Sequence, residues 1–433
     1  MASTEAIPVI TPTIPVAEGT FSRPYYSSGL RARFRIDAGS PTAKSAHTSQ
    51  QAYAKIGYDV DEAAYLQRKR IRHAAGGLTT TLPEGWPEAL DGPLVWSAGD
   101  LTNESDYLYV LTAEDKTEIM DALCIFKEHG LDGNEVSQGT FPLPSLSLRL
   151  DNVCTDVYEG RGFAIVRGLN PDEYSVEDLT IVYLGLSSYV GERRGKQDQR
   201  GSMLMHVIKR NDEDRDVQYS EDKPFHTDTV TDCLCLFTQS LADVGGHSVI
   251  ASSWTVYNEL AATRPDLIEV LSAPDWPFDT FGRDPKFYCR PLLFYHHGRL
   301  IISFSRRLLV GHEPFDTRTP GIPGLTEAQA EALDAVHIIA RKHEFKPRME
   351  RGDLRFINNM SILHRREAFE NTTTAARHLV RIWLNNEMMC WKLPRPLRVA
   401  WARVFDDDER DEHWDIVPPR KDGKVLRVAG TCD

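Results

Sequence analysis

The chain has 433 residues, of which 41% are hydrophobic and 26% charged, and its formal net charge is −13. This composition is typical of a globular protein with one large domain or two smaller ones. The negative charge argues against a nucleic-acid partner, because nucleic-acid-binding surfaces rely on an excess of Lys and Arg. No apolar run approaches 18 residues, so we expect no membrane span and no membrane partner.

The first residues and the cysteines indicate the compartment. The opening MASTEAIPVITPTIPVAEG lacks the basic start and the continuous apolar stretch of a secretory signal. The 7 cysteines are odd in number and scattered, which favours free thiols in a reducing compartment, and we expect the cytoplasm. Cys233 and Cys235 lie in an apolar strand pattern without a second cysteine pair, so we interpret them as strand residues rather than zinc ligands.

Two regions precede the strand-rich part of the chain. Residues 1–80 begin with a stretch rich in Ser, Thr, Pro and Ala that has little hydrophobic periodicity, which predicts a flexible N-terminal arm. Residues 81–155 form a lead-in with one predicted helix. Thr112 is a suitable N-cap for this helix, acidic residues follow in the first turn, and Gly130 marks its end.

Residues 156–400 combine short strand patterns with a few helices. A capping box at Ser175 and Asp178 opens one helix, and a helical insert is predicted at about residues 326–345. Residues 401–433 form an acidic C-terminal extension. The pattern predicts a mainly β fold with flanking helices and a double-stranded β-helix (jelly-roll) core. The predicted strands lie in GRGFAIVRGL, SMLMHVI, CLCLFTQSL, HSVIASS, LLFYHHGRLIISFS, DLRFINN and RHLVRIWL.

A histidine and an aspartate stand two residues apart in KPFHTDTVTDCLCLF, residues 223–237. In a strand, His226 and Asp228 point to the same face, and a buried imidazole and carboxylate favour a shared partner such as a metal ion. About two such pairs are expected by chance (14 × 63/433), and the sequence has two. The second pair, His413 and Asp415, lies in the run DDDERDEHWD, which we interpret as solvated. The spacing alone therefore leaves a metal site and a structural pair open.

A second histidine follows in RGDLRFINNMSILHRREAF, residues 351–369. Asn358 and Asn359 supply turn chemistry between two short strands, and His364 lies on the second strand. Taken alone, His364 is better explained as a half-buried strand histidine than as a metal ligand.

Two arginines share one face of the strand predicted in RHLVRIWLNN. Alternation places Arg377, Leu379, Arg381 and Trp383 together. Arginines do not belong in a core unless anions meet them. The two Cα atoms would lie roughly 13 Å apart, which suits two anionic groups lining one elongated pocket. The alternative is a strand whose arginines face solvent.

The motifs PFHTD, GGHS, GDLRFINNMSILH and RHLVRIWL resemble, in this order, those of the iron(II)/2-oxoglutarate-dependent oxygenases. More narrowly they resemble the TauD/TfdA branch, which includes taurine dioxygenase and clavaminate synthase. The similarity covers about residues 155–395. RPLLFYHHGRLIISFSRRLL and NEMMCWKLPRPL are most similar to fungal members of this branch.

The resemblance implies a set of cofactors and site residues. His226, Asp228 and His364 would bind one Fe(II) and leave positions open for 2-oxoglutarate and O₂. Arg377 would hold the far carboxylate of 2-oxoglutarate, and Ser248 stands where relatives place a threonine hydroxyl on the same carboxylate.

The substrate class follows less directly. We expect oxidation of a small, anionic, amino acid-like or amino-sulfonate-like substrate by C–H abstraction, with succinate and CO₂ as coproducts, in fungal secondary metabolism. Arg381 is the candidate for the substrate anion, and His206 is the candidate for a second residue lining the pocket. The alternative for Arg381 is a role beside the iron, and for His206 a packed or capped histidine is the favoured alternative.

Other outcomes stay open from the sequence. The same site could be diverted to desaturation or ring closure, and a cupin-like metal-binding protein or a metallohydrolase could share some of the ligands. Cupins usually supply His-X-His, which does not occur here, and a metallohydrolase would not need Arg377. A second copy of the chain, forming a homo-oligomer, is the one protein partner we keep open.

Overall fold

The structure is a computed structural model that describes residues 53–208, 221–228, 230–281, 285–313, 316–370, 376–421 and 424–425. The helices are α1 (Glu62–Ala75), α2 (Ala113–Glu128), α3 (Ser147–Tyr158), α4 (Val176–Ser188), α5 (Ser253–Thr263), α6 (Pro265–Ser272), α7 (Arg306–Val310), α8 (Glu327–His343) and α9 (Arg398–Phe405). The strands of the two main sheets are β1 (Leu108–Val110), β2 (Phe163–Arg167), β3 (Arg193–Gly195), β4 (Met205–Ile208), β5 (Cys233–Ser240), β7 (Ser248–Ser252), β12 (Leu354–Asn358), β13 (Ile362–Arg366) and β15 (His378–Asn385). A separate two-stranded sheet is formed by β6 (Val244–Gly245) and β14 (Phe369–Glu370). Peripheral hairpins add β8 (Trp276–Asp279), β9 (Phe287–Arg290), β10 (Leu293–His296), β11 (Arg299–Ile302), β16 (Arg420–Lys421) and β17 (Lys424–Val425).

The larger sheet runs in the order β1-β2-β12-β5-β15, and both β3 and β4 pair with β15. Its pairings are antiparallel except that between β1 and β2. Side chains on its two faces alternate, so Leu234 and Leu236 of β5 point to one core while Cys233 and Cys235 point to the other. The two cysteines are buried free thiols on a strand, as the sequence pattern predicts.

The smaller sheet faces the larger one across the first core. Strand β13 pairs with β7, His226 bridges to His364 at one edge, and Phe345 bridges to Ile250 at the other. The two layers form the jelly-roll core that the strand patterns predict. Because the two sheets belong to one core, side chains from β5, β12 and β15 meet side chains from β7 and β13 in the interior.

Three helices cover the outer face of the larger sheet. Apolar residues of α2, α3 and α4 pack on Phe237, Phe356 and Ile382. Thr112 and Asp115 form the capping box that begins α2, which confirms the predicted helix start. Helices α3, α5, α6 and α9 were not expected from the sequence. The buried residues of α3 do recur at helical spacing, so the sequence carries a signal for this helix: Leu150, Val153, Cys154, Val157 and Tyr158.

Part of the predicted N-terminal arm is structured. Residues 1–52 lie outside the described residues, but α1 begins at Glu62 with Asp61 as its N-cap. Arg68 of α1 pairs with Asp334 of α8 at 3.0 Å, and Arg72 pairs with Glu331. These ion pairs join parts of the chain that are far apart in sequence. Hydrophobic periodicity therefore did not reveal the contact between α1 and α8. Within the described residues, no helix is long and apolar enough to cross a membrane.

Candidate active site

The three residues of the predicted metal site meet in the jelly-roll interior. One ligand atom from each of His226, Asp228 and His364 lies within 4.8 Å of the other two. His226 and His364 exchange both backbone hydrogen bonds at 2.9 Å, so their side chains leave the sheet on the same face, with ring centroids 4.4 Å apart. One strand pairing thus brings together two residues that are 138 positions apart in the sequence. We call these three residues the triad.

The backbone sets the tautomer of the first histidine. Nδ1 of His226 lies 2.9 Å from the carbonyl oxygen of Pro224, an acceptor, so Nδ1 carries the proton and donates it there. Nε2 is then the unprotonated nitrogen, with a lone pair available to a metal ion. This arrangement is the one that metal-binding histidines usually adopt.

Asp228 is a buried carboxylate that contacts Trp383, Arg381 and His364. Its Oδ2 accepts a hydrogen bond from Nε1 of Trp383 at 2.5 Å and lies 3.1 Å from Nη1 of Arg381. Its Oδ1 lies 3.5 Å from Nε2 of His364. Asn359 fixes the backbone of Asp228, because its side-chain oxygen accepts from the Asp228 amide at 2.8 Å and its amide donates to the Asp228 carbonyl at 3.1 Å. The carboxylate is therefore oriented before any metal binds.

Arg377 lies beside the glycine-rich turn that precedes β7. Its Nε donates to the carbonyl oxygen of Gly246 at 2.9 Å, and its guanidinium lies 5.7 Å from the ring centroid of Phe369. Gly246 has φ of +70°, and a Cβ there would lie 2.8 Å from Cδ of Arg377. The second glycine of GGHS is therefore needed both for its backbone conformation and for the close approach of Arg377. Ser248, buried at the start of β7, follows two residues later.

Arg381 meets an anion within the protein. Both Arg381 and Asp228 are about 98% buried, and the guanidinium also donates from Nε to the side-chain oxygen of Gln197 at 2.8 Å. The expectation of a substrate anion rested on a buried guanidinium with no acid near it, and Asp228 supplies that acid. The sequence could not show this, because strand alternation gives the face of a side chain but not what lies opposite.

His206 lies away from the triad. It stands opposite Val380 in the β4–β15 pair, on the face of the larger sheet that the helices cover, whereas Arg381 is on the interior face. Nδ1 of His206 is 2.8 Å from Nε2 of His378, and its Nε2 is 2.7 Å from the carbonyl oxygen of Asp415. Burial lowers the pKa of His206, and it lowers the pKa of His378 to about 3. The structure thus does not bring His206 together with the predicted pocket residues.

Several residues around the site were not singled out by the sequence. Trp383 was placed on the correct face without a role, Asn359 was interpreted only as a turn residue, and Gln197 was not considered. Arg366, two residues after His364, shares its face and donates to the carbonyl oxygen of Glu221 at 2.9 Å. The one sequence signal for Arg366 is its position two residues after His364 in a strand, which places both side chains on the same face.

The arrangement has the donor set of a non-haem iron centre. Two imidazoles and one carboxylate converge from one side, and this combination is typical of Fe(II) sites that keep positions open for other ligands. Oδ1 of Asp228 lies 3.5 Å from Nε2 of His364 and 3.4 Å from Nη1 of Arg381, so it is the carboxylate oxygen that faces the histidines. Among the described residues, the triad is the group of His, Cys, Asp and Glu side chains with this convergence.

Comparisons with known proteins agree with this geometry. Residues 128–383 match the family described as "Taurine catabolism dioxygenase TauD, TfdA family". The chain is 34% identical over 336 residues to "Taurine hydroxylase-like protein SAT17" of Stachybotrys chartarum, which covers 75% of this chain and 86% of that protein. It is 26% identical over 319 residues to "FR-33289 synthase" of Streptomyces rubellomurinus, which covers 68% of this chain and 90% of that protein.

Solved structures share the fold. Asparagine oxygenase in complex with Fe(II), a 3-hydroxyasparagine and succinate aligns with a TM-score of 0.50 at 16% identity, covering 64% of this chain and 93% of that chain. A variant of the non-heme iron oxygenase OrfP in complex with 3-hydroxyarginine aligns with a TM-score of 0.50 at 14% identity, covering 65% of this chain and 94% of that chain. The family match spans more than half of the chain, and the first relative exceeds 30% identity over three quarters of it. The chain belongs to the TauD/TfdA family of Fe(II)- and 2-oxoglutarate-dependent dioxygenases.

Proposed function

We propose that this dioxygenase uses the triad of His226, Asp228 and His364 to bind Fe(II) and oxidises a small, anionic, amino acid-like or amino-sulfonate-like molecule. The observation that carries the proposal is the convergence of the three ligand atoms within 4.8 Å in the jelly-roll interior. Bound Fe(II) would supply O₂ activation coupled to decarboxylation of 2-oxoglutarate, which yields succinate and CO₂. The residues of the chain bind the iron and the molecules that react at it, orient them and exclude water from the site.

Arg377 and Ser248 are the residues we assign to the far carboxylate of 2-oxoglutarate. Arg377 is about 97% buried, and its Nε is held by Gly246, which points the side chain at the start of β7 where Ser248 lies. A buried guanidinium and a hydroxyl give a carboxylate charge-assisted hydrogen bonds in a site with little water. The cosubstrate would then span from the triad to the β6–β7 turn.

The substrate class is supported by the names of the relatives. One is called taurine hydroxylase-like, and the structure of asparagine oxygenase holds a hydroxylated amino acid. FR-33289 synthase is named for a product that it makes, and we infer a similar biosynthetic role for this chain, in fungal secondary metabolism. The family match favours oxygen chemistry over a cupin-like binding protein.

The test is succinate formation from 2-oxoglutarate with Fe(II) and ascorbate. His226→Ala, Asp228→Ala and His364→Ala should each abolish it while the circular dichroism spectrum is retained, because losing one ligand opens a further metal position. His413→Ala is the matched control, since His413 belongs to the second His-X-Asp pair, and it should keep full activity. Full activity in any triad variant would overturn the assignment.

The substrate class is tested by substrate-stimulated succinate release. Taurine and other amino-sulfonates, the common amino acids and their decarboxylated amines should be compared under the same conditions. The proposal predicts that stimulation requires an acidic group, so that the amines fail where the matching acids succeed. Stimulation by the amines alone would contradict it.

A further inference from the structure

A second arginine lies in the jelly-roll interior, in register with Arg381. Arg355 of β12 stands opposite Leu236 of β5, and Leu236 stands opposite Arg381 of β15. On its other side Arg355 faces Ile165 of β2. Directly opposed residues of antiparallel strands share a face, and Ile165 and Leu236 belong to the core between the two sheets. Arg355 therefore projects into that core, with its Cα roughly 10 Å from that of Arg381.

The guanidinium of Arg355 lacks the compensation that buried arginines normally have. The residue is about 98% buried, and its Nε and Nη2 have no hydrogen-bond partner among the described residues. Burial lowers the pKa of Arg355 to about 10, with Asp353 and Cys235 acting in the opposite direction. An ionised group in this position costs folding free energy unless an anion or several acceptors meet it.

Asp353 is the nearest acid along the strand, and it is already engaged. Its Oδ1 accepts from Nε of Arg167 at 2.8 Å, and its Oδ2 accepts from Nη2 of Arg167 at 2.9 Å. The backbone amide of Glu350 donates to Oδ2 as well, at 2.7 Å. Asp353 thus forms a two-pronged pair with Arg167 and offers Arg355 only a longer-range attraction.

A hydroxyl group on the neighbouring strand is also without a partner. Thr238 of β5 is fully buried, and its Oγ1 forms no hydrogen bond within the described part of the chain. Thr238 follows Leu236 by two residues, so it shares the interior face and lies diagonally across from Arg355. Diagonal neighbours of this kind are about 7–8 Å apart at Cα, within reach of a long side chain.

We propose that Arg355 and Thr238 form a second oxyanion subsite in the jelly-roll interior. This subsite receives a carboxylate, sulfonate or phosphonate group of the primary substrate. The proposal rests on the function proposed above. The guanidinium donates two hydrogen bonds to the oxyanion and the Thr238 hydroxyl donates a third, which satisfies the buried donors that the protein itself leaves unmatched.

The position of the subsite favours the substrate over the cosubstrate. Arg377 lies four residues along β15 from Arg381, so its Cα is roughly 16 Å from that of Arg355, too far for both to grip one carboxylate closely. Arg381 is occupied by Asp228. With the far carboxylate of 2-oxoglutarate assigned to Arg377, the anion at Arg355 belongs to a different molecule.

The first experiment uses the metal-free protein without ligands. Replacing an uncompensated buried arginine by an apolar side chain of similar bulk removes its desolvation cost, so Arg355→Leu should melt about 1–3 °C higher than wild type. Arg290→Leu is the matched control and should melt lower. Arg290 is equally buried and its Nε also has no hydrogen-bond partner among the described residues, but its guanidinium lies 4.0 Å from the Phe278 ring centroid and its Nη1 donates to the Pro291 carbonyl, contacts that Arg355 lacks. A lower melting temperature for Arg355→Leu would show a structural role and overturn the proposal.

The second experiment titrates oxyanions onto the anaerobic protein with Fe(II) and saturating 2-oxoglutarate, so that Arg377 is occupied. Methanesulfonate, methylphosphonate and acetate are the probes, and the melting temperature is the readout. Wild type and Arg290→Leu should be stabilised as the probe concentration rises. Arg355→Leu should lose about 10- to 100-fold in apparent probe affinity, and Thr238→Val about 10-fold. No shift with any probe in wild type would overturn the subsite.

Two outcomes separate this proposal from the function on which it rests. If Arg355→Leu binds 2-oxoglutarate at least ten times more weakly while probe binding is unchanged, the anion is that of the cosubstrate and the proposal is wrong. If wild type forms no succinate from 2-oxoglutarate, the proposed function fails, whatever the melting temperatures show. If wild type forms succinate and Arg355→Leu binds the probes as tightly as wild type does, the subsite is overturned while the proposed function stands.

Discussion

Replacing Arg381 by Gln tests whether this arginine orients the metal-binding carboxylate or binds the substrate. In the structure its Nη1 lies 3.1 Å from Oδ2 of Asp228, with both residues about 98% buried. We expect the variant to bind Fe(II) more weakly even without substrate, because Asp228 loses a charged group that orients its carboxylate. A substrate-binding role predicts unchanged Fe(II) and 2-oxoglutarate binding and a loss of coupled product alone.

The magnitude follows from what remains around Asp228. Trp383 still donates to Oδ2 at 2.5 Å, so the carboxylate keeps one hydrogen bond and part of its orientation. Loss of a partner that orients a metal ligand typically costs 10- to 100-fold in metal affinity, or about 1.4–2.8 kcal/mol. Breaking the buried ion pair should also lower the free energy of unfolding of the apo protein by up to about 3–5 kcal/mol.

The assay is anaerobic Fe(II) titration of the apo protein, with Arg290→Gln as the control for loss of a buried arginine outside the site. Arg290→Gln should lose stability but keep the Fe(II) affinity of the wild type. If Arg381→Gln binds Fe(II) and 2-oxoglutarate as wild type does and fails only with substrate, the positioning role is refuted. The original expectation of a substrate anion at Arg381 would then be restored.

Three other changes probe separate parts of the structure. Arg377→Ala should raise the KM for 2-oxoglutarate by about 30-fold or more, since truncating one side of a buried charge pair costs about 2–5 kcal/mol, and an unchanged KM would reject its role. Gly246→Ala should also raise this KM several-fold and destabilise the fold by about 1–2 kcal/mol, because a Cβ at φ +70° meets the Arg377 side chain, whereas wild-type kinetics would show that the turn can adjust. Asp232→Asn should gain stability relative to wild type as the pH rises. Burial raises the pKa of Asp232 to about 7, above its unfolded value of about 3.9, so the wild type is most stable relative to the variant below about pH 4 and loses that advantage by about pH 7. Chemical unfolding at pH 5 and pH 8 measures this change, and a constant difference between the two proteins would refute it.

The strand patterns of the core could be predicted from the sequence because their period of two is local. The DLRFINN and RHLVRIWL segments form β12 and β15, and the interior face predicted for Arg377, Arg381 and Trp383 is the observed one. The helix begun by Thr112 was predicted for the same reason, since its cap and first turn are neighbours in sequence.

The contacts across the core could not be predicted in this way. The pairing of Arg381 with Asp228 joins residues 153 positions apart, and that of Trp383 with Asp228 joins residues 155 apart. Which face of the larger sheet carries the His206 side chain depends on the register in which β4 pairs with β15, and alternation within one strand does not give that register. The packing of α1 on α8 rests on ion pairs that leave no hydrophobic period in the sequence.

Fe(II) and 2-oxoglutarate binding by the anaerobic protein is the most direct measurement of the proposed centre. Wild type should bind one Fe(II) per chain, and addition of 2-oxoglutarate should produce the visible charge-transfer absorption of its chelate with Fe(II). His364→Ala should lose this absorption at the same Fe(II) and 2-oxoglutarate concentrations, while His413→Ala keeps it. The same absorption in His364→Ala, or none in wild type, would contradict a centre built on His226, Asp228 and His364.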